Sequence, residues 1–356
     1  MRQIQKEKIR QILKEWYGMN KRDLPWRGIN DPYKIWISEI ILQQTRVVQG
    51  LDYYNRFIER FPDVTRLALA EEEEVLKCWQ GLGYYSRARN LHNASKTIIT
   101  KFGGQFPKTY EEVLTLSGVG EYTAAAITSF AYNLPYAAID GNIYRVLARI
   151  FAVDTPIDSA EGKKQFRRLA DLLMDEKSPG LHNQAIMEFG ALQCIPQKPD
   201  CSNCPLNVHC ESYKLNIAHQ LPVKQGKTKV SNRYFNYFFI INGDYTYLKK
   251  RTDKDIWQNL YEFPLIETNH LPDFTEMTQS KDFRRIFSES HPTIKDSRVQ
   301  RKHMLSHRTI HAVFYTVSIN SENDFIRHLN RVSLKEITHY PISRLTEVFL
   351  ENVDNR

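Results

Sequence analysis

Four of the five cysteines in this 356-residue chain, Cys194, Cys201, Cys204 and Cys210, fall in one short segment with the spacing C-x6-C-x2-C-x5-C. Thiolates this close in sequence can surround one soft metal centre, which would tie everything before and after them to a single point. Two four-thiolate readings are open. A structural zinc usually pairs two short knuckles of the form C-x2-C, and only one gap here is that short. A [4Fe–4S] cluster is the other. Cysteines packed into a core do not suit the segment, because Pro196, Pro199, Asp200, Ser202, Asn203 and Pro205 make it a loop. Clustered free thiols without an export signal predict a reducing, cytoplasmic setting.

The length predicts two domains, since one core rarely grows so large. Net charge is +8, which permits contact with nucleic acid or an anionic surface without proving it. The charge is dispersed and no polybasic tail exists, so a nucleic-acid contact has to come from a shaped surface. The N-terminal segment reads as a charged amphipathic helix rather than a leader. The longest uncharged run, Tyr122 to Ile139, is interrupted by Asn133 and Pro135. It reads as a buried helix and loop, not a membrane span.

Residues 1–215 read as mainly helical. Apolar residues recur at three- and four-residue spacing over 36–48, 51–61, 85–99, 123–132 and 143–151. Turn signals separate them at 30–32, 81–83, 103–104 and 118–120. Residues 216–232 have the look of a linker. From Arg233 the pattern changes to alternating aromatic and β-branched runs, YFNYFFII, TYLKK and HAVFYTVSI, which predict strands. The second domain, 233–356, is therefore expected to be α+β.

The hairpin region 116–124 joins a helix over 110–116 to another over 121–132 through Gly118, Val119 and Gly120. Glycines here would let a phosphate approach bare backbone N–H groups at a helix N-terminus and grip DNA without reading sequence. A plain helix–helix turn has the same local pattern. Downstream, Asp140 stands between an apolar stretch and a new helix, a place where an aspartate can simply be a cap.

Hairpin, Asp140 and the four-cysteine loop, in this order, resemble the helix–hairpin–helix DNA glycosylases of the endonuclease III superfamily. The segments LPWR (24–27), WISEIILQQT (36–45) and GLGYYSRARNL (81–91) resemble more closely its MutY-type adenine glycosylase branch. The resemblance is specific over about 10–215 and weaker to about 350. It implies one [4Fe–4S] cluster on Cys194, Cys201, Cys204 and Cys210. It also implies double-stranded DNA carrying 8-oxoguanine:A or G:A mispairs as partner, a monomer, no membrane, and a location with the nucleoid if the source is bacterial. Ser117 stands where the family usually has proline, which loosens the hairpin but removes no donor.

Release of a purine from deoxyribose needs a proton on the leaving base and stabilisation of a cationic sugar, work that two carboxylates in unlike surroundings can divide. Glu39 sits in an apolar helical stretch, so burial should raise its pKa and keep it protonated as a general acid. Asp140, near a helix N-terminus, should stay ionised and stabilise or attack the cation. The resemblance assigns the same two roles. At position 122 bifunctional relatives carry a lysine that forms a Schiff base. Tyr122 cannot do so, which implies a monofunctional enzyme, with Tyr122 and Asn142 holding the carboxylates and sugar. By the same resemblance Gln44 and Tyr84 are wedges into the base stack, Leu42 lies beside the extruded base, and Trp26, Arg27 and Gln184 line the adenine pocket. Trp26 and Leu42 suit plain core packing equally well. Arg87, Arg89 and Arg145 fit either a phosphate contact or a solvated surface.

In the second domain, IWQNLYEFP (256–264) resembles the family's entry into a Nudix-like fold, with Tyr261 where tryptophan is more usual. No acidic Nudix helix occurs between 250 and 310, so nucleotide hydrolysis is not expected. Leu305, Ser306 and His307 resemble the loop that meets 8-oxoguanine, with Leu305 replacing phenylalanine. A polar β-turn before a strand at 311–319 is the simpler reading of those residues. The alternatives to an adenine glycosylase are a glycosylase/lyase for oxidised pyrimidines and a non-catalytic iron–sulfur DNA-binding protein.

Overall fold

The structure is a computed structural model that describes residues 3–226 and 230–354. Contacts divide the chain into two compact units, Met1–Leu69 with Asn90–Gly226, and Ala70–Arg89 with Lys227–Arg356.

The first unit is helical. Its elements are α1 (Gln3–Asn20), α2 (Pro32–Ile41), α3 (Val47–Arg60) and α4 (Val64–Leu69). After α5 (Glu72–Cys78), which belongs to the second unit, follow α6 (Ser86–Phe102), α7 (Tyr110–Leu114), α8 (Glu121–Tyr132), α9 (Gly141–Ile150), α10 (Ala160–Leu173), α11 (Pro179–Leu192) and the short α12 (Glu211–Lys214). Helix α8 is apolar all round, with Thr123 to Ser129 buried without a break. Such a helix belongs inside a core, and α2 and α11 pack on it. A second cluster joins α1, α9, α10 and α11 through Leu13, Trp16, Val146, Phe166, Ile186 and Phe189. Trp16 meets Phe189 edge-on with ring centroids 5.0 Å apart.

The expected helix over 36–48 is two helices. Helix α2 starts at Asp31, whose carboxylate accepts from the Tyr33 and Lys34 amides. It stops at Leu42, and Gln44 takes a left-handed φ of 57° before α3 begins. Apolar periodicity runs through the break because Val47 and Val48 continue it, and no glycine or proline marks the turn.

In the second unit the strands are β1 (Ser231–Ile241), β2 (Tyr245–Lys250), β3 (Tyr261–Glu262), β4 (Leu265–Thr268), β5 (Thr293–Met304), β6 (Arg308–Ser318) and β7 (Asn330–Ser333). One sheet has the order β4-β1-β6-β5 and the other β3-β2-β7. Strands β1 and β6 run parallel; β4 and β5 flank them antiparallel. Helices α13 (Phe274–Gln279), α14 (Lys281–Phe287), α15 (Asp324–Arg327) and α16 (Arg344–Asp354) complete the unit. Phe238, Ile240, Phe283, Phe287, Tyr315 and Val317 form its core. The α+β character expected from 233 onward is found. Strand β5 escaped the reading of periodicity because its sequence, TIKDSRVQRKHM, is that of a charged edge strand.

Segment 70–89, expected with the helical domain, is bound into the second unit. Tyr261 and Lys250 donate to Glu73 at 2.7 and 2.8 Å. Gln80 donates to Glu347 at 2.7 Å, and Arg89 to the Gln258 carbonyl at 2.9 Å. The expected linker, 216–232, is also largely built in. Leu221 is buried in the helical core, Ile157 donates to the Val223 carbonyl at 3.0 Å, and Asp158 accepts from the Gln225 and Gly226 amides. Residues 227–229 of that linker lie outside the described residues. No helix among the described residues is long and apolar enough to cross a membrane.

Candidate active site

A cavity of about 760 Å³ opens in the first unit, lined among others by Trp26, Arg27, Glu39, Leu42, Gln44, Tyr122, Asp140, Asn142 and Gln184. Nine residues scattered over 159 positions of sequence therefore share one wall. Each is placed by a local device. Glu39 rides the last turn of α2. Leu42 and Gln44 sit in the break after it. Tyr122 is in the first turn of α8, Asp140 and Asn142 open α9, and Gln184 faces in from the middle of α11.

Glu39 is 6% exposed. Burial pushes its pKa up to about 7; the Tyr122 hydroxyl, donating to Oε2 at 2.6 Å, opposes this, while the negative charge of Asp140 adds to it. Tyr122 itself is pushed well above its ordinary value by burial and by Glu39. Asp140 does cap α9. Its Oδ1 accepts from the Ile143 amide at 2.8 Å and its Oδ2 from the Asn142 side-chain amide at 2.7 Å. Burial nonetheless carries its pKa above the ordinary aspartate value, with these bonds and Arg145 pulling it back. The helix N-terminus alone would have lowered it, so desolvation is the stronger effect. Capping and lining the cavity are not exclusive, since one carboxylate does both.

Arg145 fixes the polarity of this corner. An arginine can only donate, so the Asn142 atom that meets its Nη2 at 2.9 Å is Oδ1, and the Asn142 nitrogen is left for Asp140. The same guanidinium donates to the carbonyls of Gly190 at 2.6 Å and Cys194 at 2.7 Å. Arg145 is thus buried and neither solvated nor aimed at a phosphate. Arg87 is buried too, lying over the rings of Trp79 and Tyr84.

Trp26 is both core and wall, edge-on to Tyr54 at 4.9 Å. Gln44 and Tyr84 share an uncommon feature. Both hold left-handed backbone, at φ 57° and 48°, where residues other than glycine are scarce and cluster at functional sites. Tyr84 is also 42% exposed. In the hairpin, Gly118 has φ +76°, and a Cβ there would meet Asn90 Cβ at 2.7 Å. Gly120 begins α8 without a side-chain cap, leaving the first amides of the helix for an outside acceptor.

Sequence reasoning missed Tyr17, Arg22 and Glu188. Arg27 donates to Tyr17 at 2.9 Å and to Glu188 at 2.8 Å, and Arg22 grips Glu188 with Nε and Nη2 at 2.8 and 2.6 Å. Burial pushes the Glu188 carboxyl up, but the hydrogen bond from Arg22 and the charge of Arg27 outweigh it and hold it below the usual range. The signal available in sequence was Glu188 one turn beyond Gln184, on the same face of a helix.

The four clustered cysteines line one small cavity with Val146, Arg149 and Phe189. Arg149 donates to Cys194 Sγ at 3.4 Å and to the carbonyls of Ile195 and Pro196. Among the described residues no group of three or more histidine, cysteine or carboxylate side chains is placed to hold a metal ion. In the second unit, Leu305, Ser306 and His307 form the turn between β5 and β6, with Leu305 donating to the Arg308 carbonyl at 2.8 Å. The Ser306 hydroxyl is hydrogen-bonded to that of Tyr84, and Arg308 is held by Asp255 at 2.8 Å.

Comparison with known proteins gives two family matches. Residues 37–171 match the HhH-GPD superfamily base excision DNA repair proteins and residues 236–352 the NUDIX domain. The chain is 34% identical over 327 residues to the adenine DNA glycosylase of Buchnera aphidicola subsp. Baizongia pistaciae (strain Bp), covering 88% of each. A thermostable thymine-DNA glycosylase aligns at TM-score 0.55 and 28% identity, over 59% of this chain and 97% of that one. Endonuclease III in a non-covalent DNA complex aligns at TM-score 0.51 and 23% identity, over 60% and 98%, a likeness of fold.

Proposed function

Because the chain belongs to the adenine DNA glycosylase family, we propose that it hydrolyses the N-glycosidic bond of adenine mispaired with 8-oxoguanine or guanine, as a monofunctional enzyme that leaves an abasic site. It is a DNA-binding base excision repair glycosylase; the mispair and the single activity are the finer reading. One observation carries that reading. Glu39 and Asp140 line the same cavity, Glu39 raised by burial to about 7 and Asp140 also raised by burial but drawn back by two hydrogen bonds and Arg145, with tyrosine rather than lysine beside them.

In this reading adenine leaves the stack and enters the cavity, at an unstacking cost of a few kcal/mol. Glu39, half protonated near neutral pH, gives its proton to the departing base. Such a step is worth about 10²–10⁴-fold. Tyr122 occupies Oε2, so Oε1 carries the proton. Asp140 meets the cationic sugar, and its charge adds to the burial that keeps Glu39 protonated, so the two carboxylates can take opposite roles. Water then completes the hydrolysis. Tyr122 offers no amine, hence no Schiff base and no strand cleavage. Gly118 and Gly120 offer backbone amides to a phosphate, while the Val119 amide is donated to the Leu116 carbonyl at 3.1 Å and shapes the hairpin.

Cys194, Cys201, Cys204 and Cys210 suit a [4Fe–4S] cluster. The donor set is all thiol, the four line one cavity, and the arginine beside them compensates thiolate charge. These four residues would hold the cluster, which would fasten the loop between α11 and α12. In the second unit Ser306 can both donate and accept, which suits the new N–H and carbonyl of 8-oxoguanine.

The test is incubation of the purified protein with duplexes carrying 8-oxoguanine:A, G:A and thymine glycol, with and without alkali. Breaks only after alkali, and only in the adenine duplexes, are expected. Breaks without alkali, with a borohydride-trapped adduct lost on mutating one lysine, would overturn the single activity.

A further inference from the structure

The buried polar group around Glu188 is more elaborate than packing requires, and its two guanidinium groups set the hydrogen-bond directions from one end. Arg27 Nη1 donates to Tyr17 Oη at 2.9 Å. Because a guanidinium has no acceptor, the tyrosine oxygen is the acceptor there and its own proton must go elsewhere. It goes to Gln184, at 2.8 Å. The amide atom that meets Tyr17 is Oε1, which accepts that proton and leaves Nε2 for the cavity that Gln184 lines. Reversing the amide would put a second N–H on the phenol oxygen that already accepts from Arg27 and take this acceptor away from the tyrosine proton on a part-buried contact. The chain of donors is anchored at its far end, where Arg27 Nη2 and both arms of Arg22 close on Glu188, whose side chain is 1% exposed.

We infer that Tyr17 is a positioning residue that sets the polarity of the pocket: it locks Gln184 so that the site offers the incoming base a hydrogen-bond donor and selects an acceptor nitrogen on the purine edge. The inference rests on the reading that the cavity receives an extruded adenine. Adenine carries three ring acceptors, N1, N3 and N7, and a single fixed donor reads one of them. Leaving a buried donor unpaired is penalised (roughly 5- to 100-fold in affinity).

The test is the affinity for duplexes whose target nucleotide is 2′-fluorinated, which disfavours the cationic sugar and resists cleavage. The nucleotide bears adenine, 1-deazaadenine, 3-deazaadenine or 7-deazaadenine. Wild type is expected to lose about tenfold for one of the three analogues. Tyr17→Phe and Gln184→Met should each shrink that loss below about threefold, and the double variant should match the Gln184→Met single. A structural role for the hydroxyl would instead weaken binding of all four bases equally and add in full to the Gln184→Met effect; that result overturns the inference. Wild-type protein that releases no adenine from a mispair removes the reading beneath it. Release by wild type, with Tyr17→Phe retaining the full analogue penalty, overturns this inference alone.

Discussion

At the scale of single residues, the informative quantity is the free energy of ionising Glu39. Its folded pKa, about 7, lies above the ordinary 4.5, so between those values the native state holds a proton that the unfolded chain has lost. Stability is fully present below about 4.5, falls as pH rises towards 7, and is flat above. Two outcomes follow. Glu39→Gln should abolish base release, by at least about 10²-fold, while raising stability at pH 8 by on the order of 2 kcal/mol, read from denaturant melts at pH 5 and pH 8. Base release by wild type should decline as pH rises through about 7, because the acid is consumed. Tyr122→Phe removes the donor that opposes burial, so it should move that midpoint upward; a midpoint that moves downward, measured by single-turnover kinetics, would show that Tyr122 does not tune this acid. The acidic character of Glu39 was readable from its apolar neighbours in sequence. Its hydrogen bond to Tyr122, 83 residues away, was not.

At the scale of elements, the site is made mostly by the ends of helices, with Gln184 in the middle of α11 as an exception. The break between α2 and α3 brings Leu42 and Gln44 to the cavity, and the first turn of α8 and the N-cap of α9 supply Tyr122 and Asp140. Periodicity alone runs through such a break, because it reports which face is buried and says nothing of where the backbone turns. The hairpin was legible because glycine itself encodes the left-handed backbone. Gly118→Ala would strain that φ and drive a Cβ into Asn90. We expect a loss of about 1–3 kcal/mol and weaker DNA binding by titration, with Glu39 chemistry per bound complex little changed in single turnover. Arg145, by contrast, reads in sequence like any surface base. Its burial depends on α9 and α11 closing together, where a Cβ on Gly190 would meet Asn142 Cβ at 2.7 Å.

At the scale of the whole molecule, two compact units do not coincide with the two halves of the sequence. Segment 70–89 leaves the helical part of the chain and hydrogen-bonds to residues near 250, 260 and 347. A chain cut after residue 226 should therefore lose the partners of Glu73, Gln80 and Arg89, and limited proteolysis should nick it within 70–89 while the intact chain resists there. Within this unit Tyr84 meets Ser306, so the proposed wedge and the proposed lesion loop share a hydrogen bond. Ser306→Ala with His307→Ala should lower the preference for 8-oxoguanine:A over G:A and leave the G:A rate within about threefold. An unchanged preference in competition assays would remove the loop from lesion recognition.

The sequence by itself determined the four-cysteine loop, the glycine hairpin, the helical and α+β halves, and a family likeness that the comparisons bear out. These depend on local spacing, on residues that encode their own backbone, and on motifs read in order. Only the tertiary structure decided that Glu39 sits near pKa 7, that Arg145 is buried, that Tyr17, Arg27, Gln184 and Glu188 form one directed chain, and that 70–89 belongs with the distant C-terminal strands. Each of these depends on desolvation or on a partner many residues away. Burial and long-range pairing are properties of the packed chain, which short-range sequence pattern does not contain.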